Sequence, residues 1–361
     1  MLGILMTASI SSSHDLAVLI GRFQPFHNGH LSLLKQALAL APRVVVVIGS
    51  AFSARSPKLP FDWHECARMV RAAVSESERS RVLCVPVRDC FEETRWVNAV
   101  RSAVAQAIAE QHAASPASTV LLGHFRDPTR DYLHAFPDWT LHTADSVPIR
   151  RASALRDAVF ARVEEGLADI APEVPAGTLE FLREWTTRPS FGKMQEEAAI
   201  LREYDIAWSV APYPPVLVTV DCVVKCRDRV LVIQRGHAPG KGLLAVPGGF
   251  LEQRETTFQS ALRELEEETH LAVSAATLRT CLKGNDVFDR PDRSQCGRTI
   301  THGFFFDLGD REPPSIRADD DAAAASWMPI DQLCASEERF LDDHFQMLDH
   351  YLKLLPRPAG L

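Results

Sequence analysis

Two groups of residues in this chain have the types and spacing that phosphate chemistry needs. The first is Gly21-Arg22-Phe23-Gln24-Pro25-Phe26-His27-Asn28-Gly29-His30. If it opens a helix, the backbone N–H groups of the first turn point at an anion. His27 and His30 then reach the same phosphate oxygens, and Gly29 lets the backbone come close. That suits adenylyl transfer, where the protein positions the reactants and stabilises charge growing at phosphorus. The plainer alternative, two polar residues at a helix start, leaves the longer string around them unexplained.

The second group begins at Gly249 and runs Gly-x5-Glu255-x7-Arg263-Glu264-Leu265-x-Glu267-Glu268. Glu264, Glu267 and Glu268 stand at i, i+3 and i+4, so one helix face carries all three. Carboxylates so close repel one another unless a hard divalent cation, chiefly Mg²⁺, joins them and brings a diphosphate to the same place. A solvated acidic helix face is the alternative. It does not account for Pro247-Gly248-Gly249, Glu255 or Arg263.

The elements that must hold these residues follow from hydrophobic pattern. Leu16–Ile20 reads as a buried strand ending at Gly21, and Leu31–Leu40 has helical spacing. Val44–Ile48, Val82–Val87 and Thr119–Gly123 read as strands, and Trp63–Val74 and Trp96–Gln111 as helices between them. Alternation of this kind predicts a Rossmann-like parallel α/β sheet. Ligands of such sheets bind at the carboxyl ends of strands, where Gly21, Gly49 and Gly123 fall. Residues 150–182 read as helical, and Thr186–Ser209 as a polar connector. Pro212, Pro214 and Pro215 interrupt the chain before strand-like Val216–Val224 and Val230–Gln234. A helix over Thr256–Thr269 and strands such as Gly303–Asp307 complete an α+β half with a mixed sheet. The expected division is 14–175, a helical connector at 176–211, and 212–361.

Bulk properties agree with two soluble domains: 361 residues, 46% hydrophobic and 24% charged. A net charge of −8 gives no basic field for nucleic acid, so phosphates must be met by local Arg, Lys, His or a metal. The eight cysteines lack a CxxC pair. Cys222 and Cys226 lie in a strand-like run and read as packing rather than zinc ligands. No apolar run approaches a membrane span, and the N-terminus lacks a positive n-region, so the expected location is cytoplasmic.

The first string resembles the HxGH nucleotidyltransferase superfamily, and within it the archaeal-type nicotinamide-mononucleotide (NMN) adenylyltransferases. The resemblance implies that His27 and His30 contact the ATP phosphates without a covalent intermediate, aided by Gly21, Arg22, Phe23, Gln24 and Gly29. Ser153-Ala154-Leu155-Arg156 is similar to the family's (S/T)xxR motif, in which Arg156 binds phosphate; Arg151-Ala152 precede it where the longer family form differs. Lys58 falls where relatives carry a basic residue at the ATP site, with a solvated loop charge as its alternative. Trp96 matches the tryptophan that stacks on nicotinamide, with a core role as its rival. Gly123-His124-Phe125-Arg126-Asp127 is expected to line the cleft.

The second string resembles the Nudix box. By that resemblance Glu264, Glu267 and Glu268 bind Mg²⁺, with Mn²⁺ as a substitute, and help activate water. Gly249, Glu255 and Arg263 brace the loop and helix. His270 replaces the box's last glycine, so a left-handed backbone is expected there at a cost of about 1 kcal/mol. Arg293 and Arg298 stand in a stretch similar to ADP-ribose-specific members, which implies that they contact ADP-ribose, with ordinary surface arginines as the alternative; Cys296 replaces the usual Arg before Gly297.

Together the two strings resemble the bifunctional NMN adenylyltransferase/Nudix hydrolase family. The implied reactions join ATP and NMN into NAD and pyrophosphate, and split ADP-ribose into AMP and ribose 5-phosphate. Family relatives suggest a homo-oligomer. Three alternatives stand beside this. One is a transferase for another acceptor. Another is a Nudix half that only binds, or that hydrolyses a different nucleoside diphosphate derivative. The third, an ADP-ribose-sensing DNA-binding regulator, is opposed by acidic Asp319-Asp320-Asp321 and the lack of a basic recognition helix.

Overall fold

The computed structural model describes residues 13–112, 114–124 and 134–356. They fall into two compact units. One runs to Ala51 and resumes over Phe61–Arg188; the other joins Phe52–Pro60 to the chain from Pro189 onward.

The first unit alternates strand and helix as the pattern required. Its elements begin β1 (Leu16–Gly21), α1 (Asn28–Leu40), β2 (Val44–Ile48), α2 (Trp63–Ala72), α3 (Glu76–Arg79) and β3 (Val82–Pro86). They continue with α4 (Glu93–Glu110), β4 (Thr119–Gly123), β5 (Thr140–Thr143), α5 (Ala152–Ala161), α6 (Val163–Ile170) and α7 (Ala176–Thr186). The five strands are all parallel, in the order β3-β2-β1-β4-β5. The order reverses beside β1, so its carboxyl end opens the crevice where ligands of such sheets bind. Val18, Val45, Val47 and Leu121 pack on Val97, Val100 and Val104 of α4. Each such side chain contributes roughly 1.5–3 kcal/mol by leaving water. β5 escapes hydrophobic patterning because its four residues, Thr-Leu-His-Thr, are all exposed at the sheet edge.

The second unit opens with α8 (Pro189–Trp208), a 20-residue helix that buries only Phe191 and Met194. That explains why its sequence reads as a polar connector. There follow β6 (Val216–Cys226), β7 (Arg229–Arg235), β8 (Leu244–Ala245), β9 (Gly248–Phe250), α9 (Thr257–Thr269) and α10 (Ala275–Cys281). Then come β10 (Leu282–Phe288), β11 (Arg298–Asp307), β12 (Ala322–Pro329) and α11 (His344–Leu352). The sheet is mixed: β10-β11-β6-β7-β12, with β11 parallel to β6 and the other main pairs antiparallel. α9 lays Ala261 and Leu265 on Val220, Cys222, Val224, Phe304 and Phe306. Cys222 and Cys226 are fully buried among these groups, as packing residues are. Among the described residues no helix is long and apolar enough to cross a membrane.

Candidate active sites

In the first unit the chain leaves β1 at Gly21 and enters α1 through His27, the N-cap, at an extended φ of −125°. His27 Nδ1 accepts the N–H of His30 at 3.3 Å, and His30 Nδ1 accepts the N–H of His27 at 3.3 Å. The rings stack with centroids 3.7 Å apart and 15° between planes. A neutral imidazole that accepts at Nδ1 carries its proton on Nε2, so both rings are donors toward an anionic oxygen. A Cβ on Gly29 would lie 3.0 Å from His27 Cε1, which is why glycine suits the position between them. Phe23, buried at φ +55°, meets His30 edge-on at 5.0 Å, and Phe26 flanks it at 5.6 Å.

The turn is tied down from two sides. The Gln24 amide donates to Phe61 O at 2.7 Å and accepts from Phe61 N at 3.1 Å, which commits that side chain to holding the turn against the start of α2. The Gln24 backbone carbonyl accepts from Arg156 Nη1 at 2.5 Å. Burial pushes the Arg156 guanidinium down to about 10, Asp157 opposes this, and the Arg22 cation adds to it. Arg156 remains charged at neutral pH. Two guanidinium groups thus lie near each other at the turn that leads into α1. Ser153 is exposed at the second residue of α5, one turn before Arg156.

Trp96, half-buried on α4, packs at the margin of the core and meets Phe136 edge-on at 6.1 Å. Lys58 lies in Phe52–Pro60, the stretch grouped with the second unit, and its Nζ donates to Asp292 O. His124 follows β4; Phe125, Arg126 and Asp127 lie outside the described residues, as does the extreme N-terminus. Ser50 and Asp89, joined at 2.6 Å beyond β2 and β3, had no motif to mark them in the sequence.

In the second unit α9 is capped by Thr256, with Gln259 completing a capping box, and presents its carboxylates beneath the β9 turn. Gly248 N donates to Glu268 Oε2 at 2.9 Å. A Cβ on Gly249 would fall 2.5 Å from Glu264 Oε1, so any larger residue there displaces the Glu264 carboxylate. Arg263 is the hub. Its Nε donates to Glu255 at 3.0–3.1 Å, its Nη1 to Glu264 and Glu267 at 2.8 Å each, and its Nη2 to Phe250 O at 3.1 Å. Ser260 closes the bracket on Glu255 at 2.8 Å.

Burial pushes Glu268 up to about 8, against the Gly248 hydrogen bond and with help from the Glu264 and Asp221 charges. Glu264 is raised as well, first by burial. A buried carboxylate cluster that resists ionisation is the donor set a hard divalent cation stabilises. Among the described residues no three such groups already converge as a metal cage. The chemistry of the α9 face nonetheless fits a divalent metal held by Glu264, Glu267 and Glu268.

Asp221, 6% exposed, was not singled out from the sequence, although a lone carboxylate in the apolar run of β6 is a usable signal. Burial pushes it up to about 7, with Arg293 opposing. Arg293 is itself buried. It holds Asp343 through two bonds of 2.9 and 2.7 Å, donates to Thr301 Oγ1, and lies 3.9 Å from Asp221. Arg298 is half-exposed and donates to Asp289 O at 2.6 Å. His270 adopts φ +42° and ψ +43°, the left-handed conformation expected of the residue replacing glycine, and its Nε2 lies 2.8 Å from Asp319 Oδ2.

A doubly wound nucleotidyltransferase sheet and a Nudix fold therefore share one chain. Residues 18–148 match the Cytidylyltransferase-like family and residues 215–351 the NUDIX domain. The nicotinamide/nicotinic acid mononucleotide adenylyltransferase of Acinetobacter baylyi is 33% identical over 184 residues, which is 51% of this chain and 93% of that protein. The ADP-ribose pyrophosphatase of Methanocaldococcus jannaschii is 31% identical over 136 residues, 38% of this chain and 73% of that one. A crystal structure of a bifunctional NMN adenylyltransferase/ADP ribose pyrophosphatase from Francisella tularensis, complexed with AMP and Mn ion, superposes with a TM-score of 0.84. It is 32% identical, and the match covers 94% of this chain and 99% of that one. The chain belongs to this bifunctional NMN adenylyltransferase/ADP-ribose pyrophosphatase family.

Proposed function

We infer that this protein catalyses two reactions of pyridine-nucleotide metabolism, one in each unit. In the first, an oxygen of the NMN phosphate attacks the α-phosphorus of ATP. The α–β bridging bond breaks, and NAD and pyrophosphate leave. The carrying observation is the reciprocal His27–His30 pair, on a turn whose Gln24 carbonyl is held by Arg156 with Arg22 near it. It gathers Nε2 donors and fixed cations where charge develops, and needs no nucleophile of its own. Gly21, Gly29 and the backbone of Phe23 and Gln24 shape the turn around the phosphates; Ser153 is a further ATP contact, and Trp96 stacks on nicotinamide.

In the second, water adds to a phosphorus of ADP-ribose and the P–O–P bridge breaks, giving AMP and ribose 5-phosphate. Mg²⁺, or Mn²⁺ in its place, would be held by Glu264, Glu267 and Glu268 and would supply Lewis acidity at the diphosphate. Glu267 and Glu268 help activate the attacking water. Arg263 and Glu255 fix the helix face against the Gly249 turn, Arg298 meets the ligand, and Arg293 anchors the loop behind it. All eight cysteines are free thiols, which suits a cytoplasmic enzyme.

Purified protein supplied with ATP, NMN and Mg²⁺ should form NAD and pyrophosphate in equal amounts. With ADP-ribose in ¹⁸O-water it should form AMP and ribose 5-phosphate carrying one label between them. Failure of either reaction removes that half of the reading.

A further inference from the structure

α2 is two-faced. Cys66, Ala67, Met69 and Val70 are buried, with Cys66 Sγ 3.5 Å from Arg22 O, so this side backs the transferase turn. His64, Arg68 and Arg71, at i, i+4 and i+7, point the other way and are exposed. With Ala72 and Arg79 they line a cleft of about 340 Å³ that contains no acidic side chain.

Arg68, Arg79 and His64 are held in place. Arg68 lies over the Phe181 ring at 5.3 Å and donates to Glu184 at 2.6 Å, a carboxylate also shared with Arg188. Arg79 Nε donates to Arg71 O at 3.1 Å, and the His64 ring lies 3.6 Å from that of Trp63. Among the described residues, Arg71 and Arg79 have no carboxylate partner. Three guanidinium groups and an imidazole thus converge on one concavity of a chain whose net charge is −8. Such groups bind phosphoryl oxygens in forked pairs.

We propose that this cleft, on the side of α2 opposite the transferase turn, is a second anion site that takes a small ligand bearing a diphosphate. Its volume is near the lower end for a small-molecule pocket, and the prevailing negative charge disfavours a long polyanion. The source is free pyrophosphate or the diphosphate of a nucleotide.

The test is calorimetric titration of the full chain, in EDTA, with pyrophosphate and separately with ADP. Wild type, the exposed pair R71Q/R79Q, and R156Q in the transferase turn are compared. A binding component should persist in R156Q and weaken about tenfold or more in R71Q/R79Q, whose melting temperature stays that of wild type. Appearance of this component with pyrophosphate alone assigns the free anion; its appearance with ADP as well assigns the nucleotide. Superimposable wild-type and R71Q/R79Q titrations, or loss of all binding in R156Q, overturn the proposal.

Discussion

His27 and His30 each accept the other's backbone N–H at 3.3 Å, so the pair that should hold phosphate also starts α1. Cap and catalyst can be separated by substitution. Aspartate is a good N-cap but offers no donor and repels phosphate. His27→Asp should keep the melting temperature near wild type while lowering NAD formation by about 10²–10³-fold. His27→Ala should lose activity to a similar degree and about 1 kcal/mol of stability as well. Thermal melts and initial rates on the same preparations check both.

Arg263 joins Glu255, Glu264, Glu267 and Phe250 O through a forked guanidinium that lysine cannot reproduce. Arg263→Lys should reduce ADP-ribose hydrolysis by about 10²-fold and destabilise the second unit by roughly 2 kcal/mol, leaving NAD formation unchanged. Steady-state rates of both reactions with a urea melt are the measurement. Equal damage to both reactions contradicts the division of labour.

His270 sits at φ +42°, where glycine is unstrained. His270→Gly relieves about 1 kcal/mol of backbone strain but loses the Asp319 contact, so stability and hydrolysis should stay close to wild type. His270→Val, β-branched in a left-handed conformation, should cost about 1–2 kcal/mol. Denaturant midpoints read the difference.

His344 accepts the Val246 N–H at Nδ1 from a half-buried position, and loss of solvation pushes it down to about 3, with Arg293 and Arg235 adding to the shift. Its folded value is below its unfolded value near 6.5, so protonation favours the unfolded chain. The stability is therefore present above 6.5 and is lost as pH falls from 6.5 toward 3, by at most about 1.4 kcal/mol per pH unit. His344→Gln keeps an acceptor without the titration. Its denaturant midpoint should fall less than that of wild type between pH 6.5 and 4.5.

Much of this was legible in the sequence because the signals are local. β2 and β4 follow the apolar runs Val44–Ile48 and Thr119–Gly123, and the left-handed His270 follows from the glycine it replaces. The parts not anticipated are set by tertiary contacts. β5 has no apolar side to advertise it. Gln24 and Arg293 look like ligand contacts in one dimension, yet their polar atoms are taken up by Phe61 and by Asp343 with Thr301. Asp221 matters because burial places its charge near Glu264 and Glu268, and sequence spacing does not report that proximity.

The central claim is that one chain carries two independent phosphate chemistries. NAD formation from ATP and NMN, and AMP release from ADP-ribose, should be measured on the same preparations of wild type, His27→Asp and Glu267→Gln. His27→Asp should abolish the first and spare the second, and Glu267→Gln should do the reverse. Loss of both reactions in either variant, or AMP release unaffected by Glu267→Gln, would contradict the account.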